Sequence, residues 1–233
     1  MNGLEFAVQT APPGPDGRKV VDRDHLRSAL QKAALYHDRA GEQHFNLISA
    51  LHKSMRNSDA DATLYWLLRM LDAGDDPLYV ARRVVRFASE DVGLADPRAL
   101  TLSLAAKDAV HFLGRPEADL ALAQAAVYCA LAPKSNAIYA AWKEVNATIG
   151  EGAVDPVPMA LRNAVTGLMK ASGYGAGYEY AHDSEDAVTA LDCLPERLRG
   201  MRFYRPTDRG QEKELQVRIE AWRAARARLT GER

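Results

Sequence analysis

The chain is short of cysteine, aromatic side chains, long apolar runs and net charge, and each shortage excludes a class of protein. Its only cysteines, Cys129 and Cys193, form no CxxC and no paired spacing. Neither a disulfide framework nor a zinc site is indicated, and both are expected to be buried thiols in a reducing compartment. The longest apolar stretch without a charge, residues 120–133, falls short of the roughly 20 residues that cross a bilayer, so it is read as a core helix. The N-terminus has no basic segment followed by an apolar one, so no signal peptide is read there, and a soluble, cytoplasmic protein is expected. With 30 basic and 31 acidic residues the formal charge is −1. No global field draws the chain onto nucleic acid, and any such contact needs a local patch.

Catalytic motifs are missing as well. A P-loop needs glycines followed by Lys-Ser/Thr between a strand and a helix. Pro133-Lys134-Ser135 lacks the glycines, and the run Gly173 to Gly177 lacks the lysine and a following helix. The first is read as a helix start capped by Ser135, the second as a tight turn. The six histidines (His25, His37, His44, His52, His111 and His182) form no HExxH. His44 and His52 can share a helix face, but no carboxylate partner is evident from the sequence. Tyr180-Ala181-His182-Asp183 could orient a histidine by its neighbouring acid, yet no nucleophile accompanies it, and a loop staple is the better reading. No catalytic, cofactor-binding or metal-binding residue is assigned.

What the chain does have is alanine, leucine and helix punctuation. Hydrophobic residues make up 47% and aromatics 7%, a balance that favours helices over sheet. Residues 4–10 are read as the tail of a helix, followed by a loop with three prolines at 12, 13 and 15. Asp22 or Asp24 then caps a helix ending near Tyr36. The polar stretch His37 to Glu42 is the expected domain boundary. Helices follow from Gln43 onward, one of them capped by Ser58 or Asp59 and closed by Gly74. Asp76-Pro77 and Asp96-Pro97 look like the same start signal used twice. Arg115-Pro116 is expected to open the next helix, and Lys134 to Gly150 another, with Ile138, Tyr139, Trp142 and Val145. Beyond Gly150 we expect a helix near 159–172, an irregular arm over 179–205, and a charged final helix capped by Thr207 or Asp208. Phe203-Tyr204 could at most join a small edge pair.

Two basic clusters stand out. Arg82, Arg83 and Arg86 lie on one helix, with Arg82 and Arg86 on a common face and Glu90 within reach of Arg86. Arg197, Arg199, Arg202, Arg205 and Arg209 surround Phe203 and Tyr204. Either cluster could contact phosphate or a partner, and Arg82, Arg83, Arg86, Lys134, Arg202 and Arg205 are the candidate contacts for DNA or a partner. The alternative is structural: an ion-pair network for the first cluster and an anchor for the arm in the second. The residues alone describe an all-α, multi-helix bundle or collar with an irregular C-terminal arm.

A series of stretches resembles one family. They are Glu42-Gln43-His44-Phe45-Asn46-Leu47-Ile48-Ser49-Ala50, Asp61 to Leu71, Ala81-Arg82-Arg83, and Ser89-Glu90-Asp91-Val92-Gly93-Leu94-Ala95-Asp96-Pro97. Leu131 to Ala137, Val157-Pro158 with Leu161-Arg162-Asn163, Gly173-Tyr174-Gly175, Tyr180 to Asp183, and Phe203 to Thr207 follow. In order and spacing they resemble the replication-associated recombination protein A family, also called maintenance of genome stability protein A, whose eukaryotic relative is the Werner-helicase-interacting protein. The resemblance implies a clamp-loader-like AAA+ ATPase acting at stalled forks and DNA ends, with its Walker motifs, ATP and Mg in an N-terminal module upstream of Met1. It implies that residues 1–38 are the end of the AAA+ lid and 42–233 the helical oligomerisation domain. It implies a homotetramer associated with the nucleoid, with single-stranded DNA-binding protein and forked or single-stranded DNA as partners and no membrane. The fragment itself is expected to bind no cofactor and to catalyse nothing. The apolar helices 97–114 and 116–133 offer surface that could be shared between copies.

Overall fold

The structure, a computed structural model, describes residues 3–14, 17–36, 42–152, 154–184 and 187–231. Among these the chain is helical, with no named strand and one isolated bridge between Pro13 and Lys19. It divides into two compact units, one comprising 1–92 and 97–132, the other 93–96 and 133–233.

The first unit begins with α1 (Gly3–Thr10) packed on α2 (Arg23–Tyr36). Asp22 opens α2 by accepting the His25 N–H at 2.7 Å, and the His25 ring reaches the Ala7 carbonyl at 3.0 Å. The expected boundary at His37–Glu42 falls on 37–41, outside the described residues, and on the first residue of the next helix. Five helices form the bundle: α3 (Glu42–Arg56), α4 (Ala60–Asp72), α5 (Pro77–Phe87), α6 (Arg98–Leu113) and α7 (Asp119–Leu131). The apolar residues 120–131 do form a core helix, since α7 packs against α3, α4, α5 and α6. Its inward positions Leu122, Ala125, Ala126, Cys129 and Ala130 are buried, and the alanines let neighbouring backbones approach closely. Leu51, Met55, Leu67, Met70, Val80, Val84 and Phe87 fill the rest of this core, each worth about 1.5–3 kcal/mol of burial.

Helix ends follow local chemistry. Asp59 caps α4 through the Ala62 N–H, and Gly74 (φ +86°) closes it. Asp76 caps α5 with Pro77 at its first turn. The second Asp-Pro differs in its setting: Asp96 is buried, and Pro97 stands at the cap position of α6. One reason is that α5 runs into a π-turn at Ala88–Val92 and a 3₁₀ turn at Gly93–Ala95, which carries 93–96 into the second unit. Arg115-Pro116 does not open α7: residues 115–118 form turns and the helix starts at Asp119. Arg115 instead grips Asp119 and the Leu71 carbonyl.

The second unit contains α8 (Ala137–Gly150), α9 (Gly167–Ala171) and α10 (Glu212–Thr230). The helix expected near 159–172 is not continuous. A 3₁₀ turn at Met159–Leu161 precedes extended Arg162, and Thr166 caps the five-residue α9. Residues 163–172 are all exposed, so no buried face sustains a longer helix. The described residues of 179–205 are irregular, with 3₁₀ turns at Ala181–Asp183 and Glu196–Leu198, and Phe203-Tyr204 joins no pair among the described residues. The final helix starts at Glu212, not behind a Thr207 or Asp208 cap. The Thr207 N–H and hydroxyl both bind the Glu212 carboxylate, so Thr207 is a donor to the helix start. Cys129 is buried as expected, but Cys193 is exposed, because the irregular arm has no second layer to cover it.

Candidate partner and nucleic-acid interface

Helix α8 places Ile138, Trp142, Val145 and Ile149 at spacings of four, three and four, so they lie along one stripe. Ile138, Trp142 and Ile149 are exposed, Trp142 by 66% and Ile149 by 69%. Ala137 and Ala141 face inward and are buried. The first unit exposes apolar residues of α6 and α7 as well, notably Phe112 (89%) and Leu120 (79%).

The six candidate cations fall on both units. Arg82 and Arg83 lie over the Tyr79 ring, Arg83 at 4.7 Å and half-buried. Arg86 pairs with Glu90 at 2.7 Å. Arg56, outside both basic clusters of the sequence, forks onto Asp91 at 2.6 and 3.1 Å, and this hydrogen bond pushes its pKa further up. These contacts fit the structural alternative for Arg83 and Arg86. A carboxylate partner for His44, not evident in the sequence, is Asp75, at 2.8 Å from Nδ1. The two residues lie 31 apart in the chain, so spacing gave no signal of it. No group of three or more His, Cys, Asp or Glu side chains suited to a metal occurs among the described residues.

In the second unit Arg205 forms a two-pronged pair with Glu144 of α8 at 2.6 and 3.0 Å, which holds the Glu144 carboxyl below its ordinary range. Arg197 grips Asp155 in the same manner, and Arg209 donates to the Lys134 carbonyl at 3.3 Å. These arginines anchor the arm. Arg202 does not: it is exposed and lines a cleft with Arg199, Arg223 and Arg226. The two α10 arginines lay outside the sequence clusters because only the fold brings that helix against the arm.

The anchor of the arm centres on Glu212, which is 0% exposed. Its Oε2 accepts from Ser135 Oγ at 2.6 Å and from the Thr207 N–H and Oγ1, both at 2.8 Å; its Oε1 accepts from the Tyr204 hydroxyl at 3.0 Å. Burial alone would raise this carboxyl's pKa, but the hydrogen bonds outweigh burial and lower it. Tyr204 is driven up, first by burial and then by its bond to Glu212. Ser135 also accepts the Ala137 N–H at 3.2 Å from one position before Asn136, the residue that stands at the cap of α8 and makes no side-chain cap itself.

The family model described as MgsA AAA+ ATPase C terminal matches residues 57–223, and that described as AAA C-terminal domain matches 1–56. The chain is 51% identical to replication-associated recombination protein A of Coxiella burnetii over 89% of this chain and 48% of that protein. It is 44% identical to the Escherichia coli K12 protein of the same name, over 96% of this chain and 50% of the other. With ATPase WRNIP1 of Dictyostelium discoideum it shares 47% identity over 79% of this chain and 21% of that protein. The chain thus spans about half the length of the bacterial relatives it matches. No helix among the described residues is long and apolar enough to cross a membrane. The homologues are AAA+ replication-associated recombination proteins, and this all-helical chain belongs to the MgsA AAA+ ATPase C-terminal family.

Proposed function

We propose that this chain is the oligomerisation part of a AAA+ ATPase that maintains replication forks and serves recombination and repair, and that it gathers copies into a homotetramer. The observation that carries the reading is the stripe of exposed Ile138, Trp142 and Ile149 with half-buried Val145 on α8. Its four-three-four spacing is that of a helix seam that buries itself against a like seam, and a closed assembly built on self-complementary contacts follows naturally. Such a collar holds ATPase modules at high effective concentration. In this reading ATP and Mg belong to the N-terminal module, this portion turns over no nucleotide, and the assembly works in the cytoplasm at the nucleoid.

Light scattering on the purified chain at micromolar concentration tests the proposal. A tetramer is expected, and Trp142→Glu with Ile149→Glu is expected to shift it toward monomer while helical circular dichroism is retained. A wild-type chain that stays monomeric, or that hydrolyses ATP unaided, overturns it.

A second reading concerns nucleic-acid or partner contact on the same chain. It is favoured by Arg202, which is exposed and makes no ion pair among the described residues, while Arg86 and Arg205 are paired. Forked or single-stranded DNA and single-stranded DNA-binding protein are the partners it would serve.

A further inference from the structure

The second unit contains a cleft of about 940 Å³ between the irregular arm and the last turns of α10. Two pairs of arginines line it: Arg199 and Arg202 from the arm, Arg223 and Arg226 from the helix. Both pairs are spaced i, i+3. The neighbouring arm arginines are engaged, Arg197 with Asp155, Arg205 with Glu144, and Arg209 with a carbonyl. The four guanidiniums of the cleft have no hydrogen-bond or ion-pair partner among the described residues. Two acids also line the cleft, Glu179 and Asp192, and Asp192 Oδ1 accepts the Leu194 N–H at 3.0 Å. Four guanidiniums against two carboxylates leave the lining with an excess of two positive charges, which favours an anion.

The shape and lining indicate which anion. Guanidinium forks match phosphate oxygens, and pairs from two elements bracket a line of charge better than a point charge. The volume suits a short stretch of one extended strand, at the upper end of clefts that enclose a drug-sized ligand. No aromatic ring lines the cleft, so bases have no stacking platform. We propose that this cleft is a phosphodiester groove that holds single-stranded nucleic acid through its phosphates without reading its bases, an inference that rests on the second reading above.

Fluorescence anisotropy with labelled 20-nucleotide dT and dA oligomers tests it on the full chain. Each phosphate neutralised on a single strand contributes a slope of about −0.7 in log K against log salt. Four contacts therefore give about −2.8, an affinity roughly fifty-fold weaker at 200 mM than at 50 mM salt. Arg199→Ala with Arg202→Ala, and separately Arg223→Ala with Arg226→Ala, should each reduce the slope to about −1.4. The effect should be equal for dT and dA, with unchanged circular dichroism. If the oligomers bind but the slope responds only to Arg82→Ala with Arg86→Ala, the cleft assignment falls while the second reading stands. A clear preference for dT over dA that the cleft variants abolish overturns backbone-only recognition. A labelled oligoglutamate that binds in the cleft where the oligomers do not makes the site one for acidic peptide and overturns the proposal. No binding of either oligomer at 50 mM salt overturns both the cleft assignment and nucleic-acid contact by this chain.

Discussion

Replacing Glu212 by alanine should be among the most damaging single changes in the second unit. The carboxylate accepts four hydrogen bonds, from Ser135, twice from Thr207 and from Tyr204, and it is fully buried. Hydrogen bonds to a charged group contribute about 1.5–3 kcal/mol each when removed singly. The full sum would overstate the loss, because three of the donors are hydroxyls that can turn toward water or another acceptor. The Thr207 N–H cannot turn. We therefore expect Glu212→Ala to cost about 3–5 kcal/mol. Glu212→Gln should cost less, about 1–2 kcal/mol: its carbonyl oxygen can still accept from Ser135 and Thr207, and its amide can donate to Tyr204, whose hydroxyl then accepts. Tyr204→Phe should cost about 1 kcal/mol, and less than that in the Glu212→Gln background. Urea unfolding at pH 7, followed by fluorescence of Trp142 and Trp222 in this unit, measures all three. The pH is chosen with the sign in mind. The Glu212 pKa is lowered in the fold, so its stabilisation is complete above the unfolded carboxyl's pKa of about 4.3 and is lost as pH falls through the folded value. A Glu212→Ala protein within about 0.5 kcal/mol of wild type would refute the reasoning, since that is the range of an ordinary surface change.

Gly210→Ala should strongly destabilise the same unit. Gly210 has φ +50°, and a Cβ there would collide with the Ala95 carbonyl and lie 2.7 Å from Pro133 Cγ; a thermal melt should fall by several degrees, and an unchanged midpoint would contradict the close approach. By contrast Arg205→Ala, which removes an exposed ion pair with Glu144, should leave the melting temperature nearly unchanged, a result readable in the same scan. His52 is held below its ordinary pKa of 6.5, first by burial and then by Arg56, against an opposing pull from Asp91. The unfolded chain therefore takes up a proton near pH 6.5 that the folded one refuses, and stability should fall as pH drops below that value. His52→Gln should flatten this part of the profile of melting temperature against pH between 5 and 7.

Helix existence and most helix ends were legible in the sequence, because they depend on chemistry within a few residues. Asp59 and Asp76 cap where their spacing says they should, and Gly74 and Gly114 take the positive φ that closes a helix. The small apolar residues of 120–131 marked a central helix, since alanine at that density serves close packing on several sides. Family membership was legible too, through a series of short motifs in order. The tertiary structure decided what depends on partners distant in the chain. It drew 93–96 into the second unit, so that Asp96-Pro97 looks like Asp76-Pro77 in sequence but Asp96 is buried where Asp76 is exposed. It left residues 163–172 without a buried face and so without a long helix. It joined Ser135 to Glu212 across 77 residues, paired Arg205 with Glu144 across 61, and set Arg223 and Arg226 opposite Arg199 and Arg202. A sequence lists charges, but whether an arginine anchors an arm or waits for an anion depends on which carboxylate the fold brings within reach.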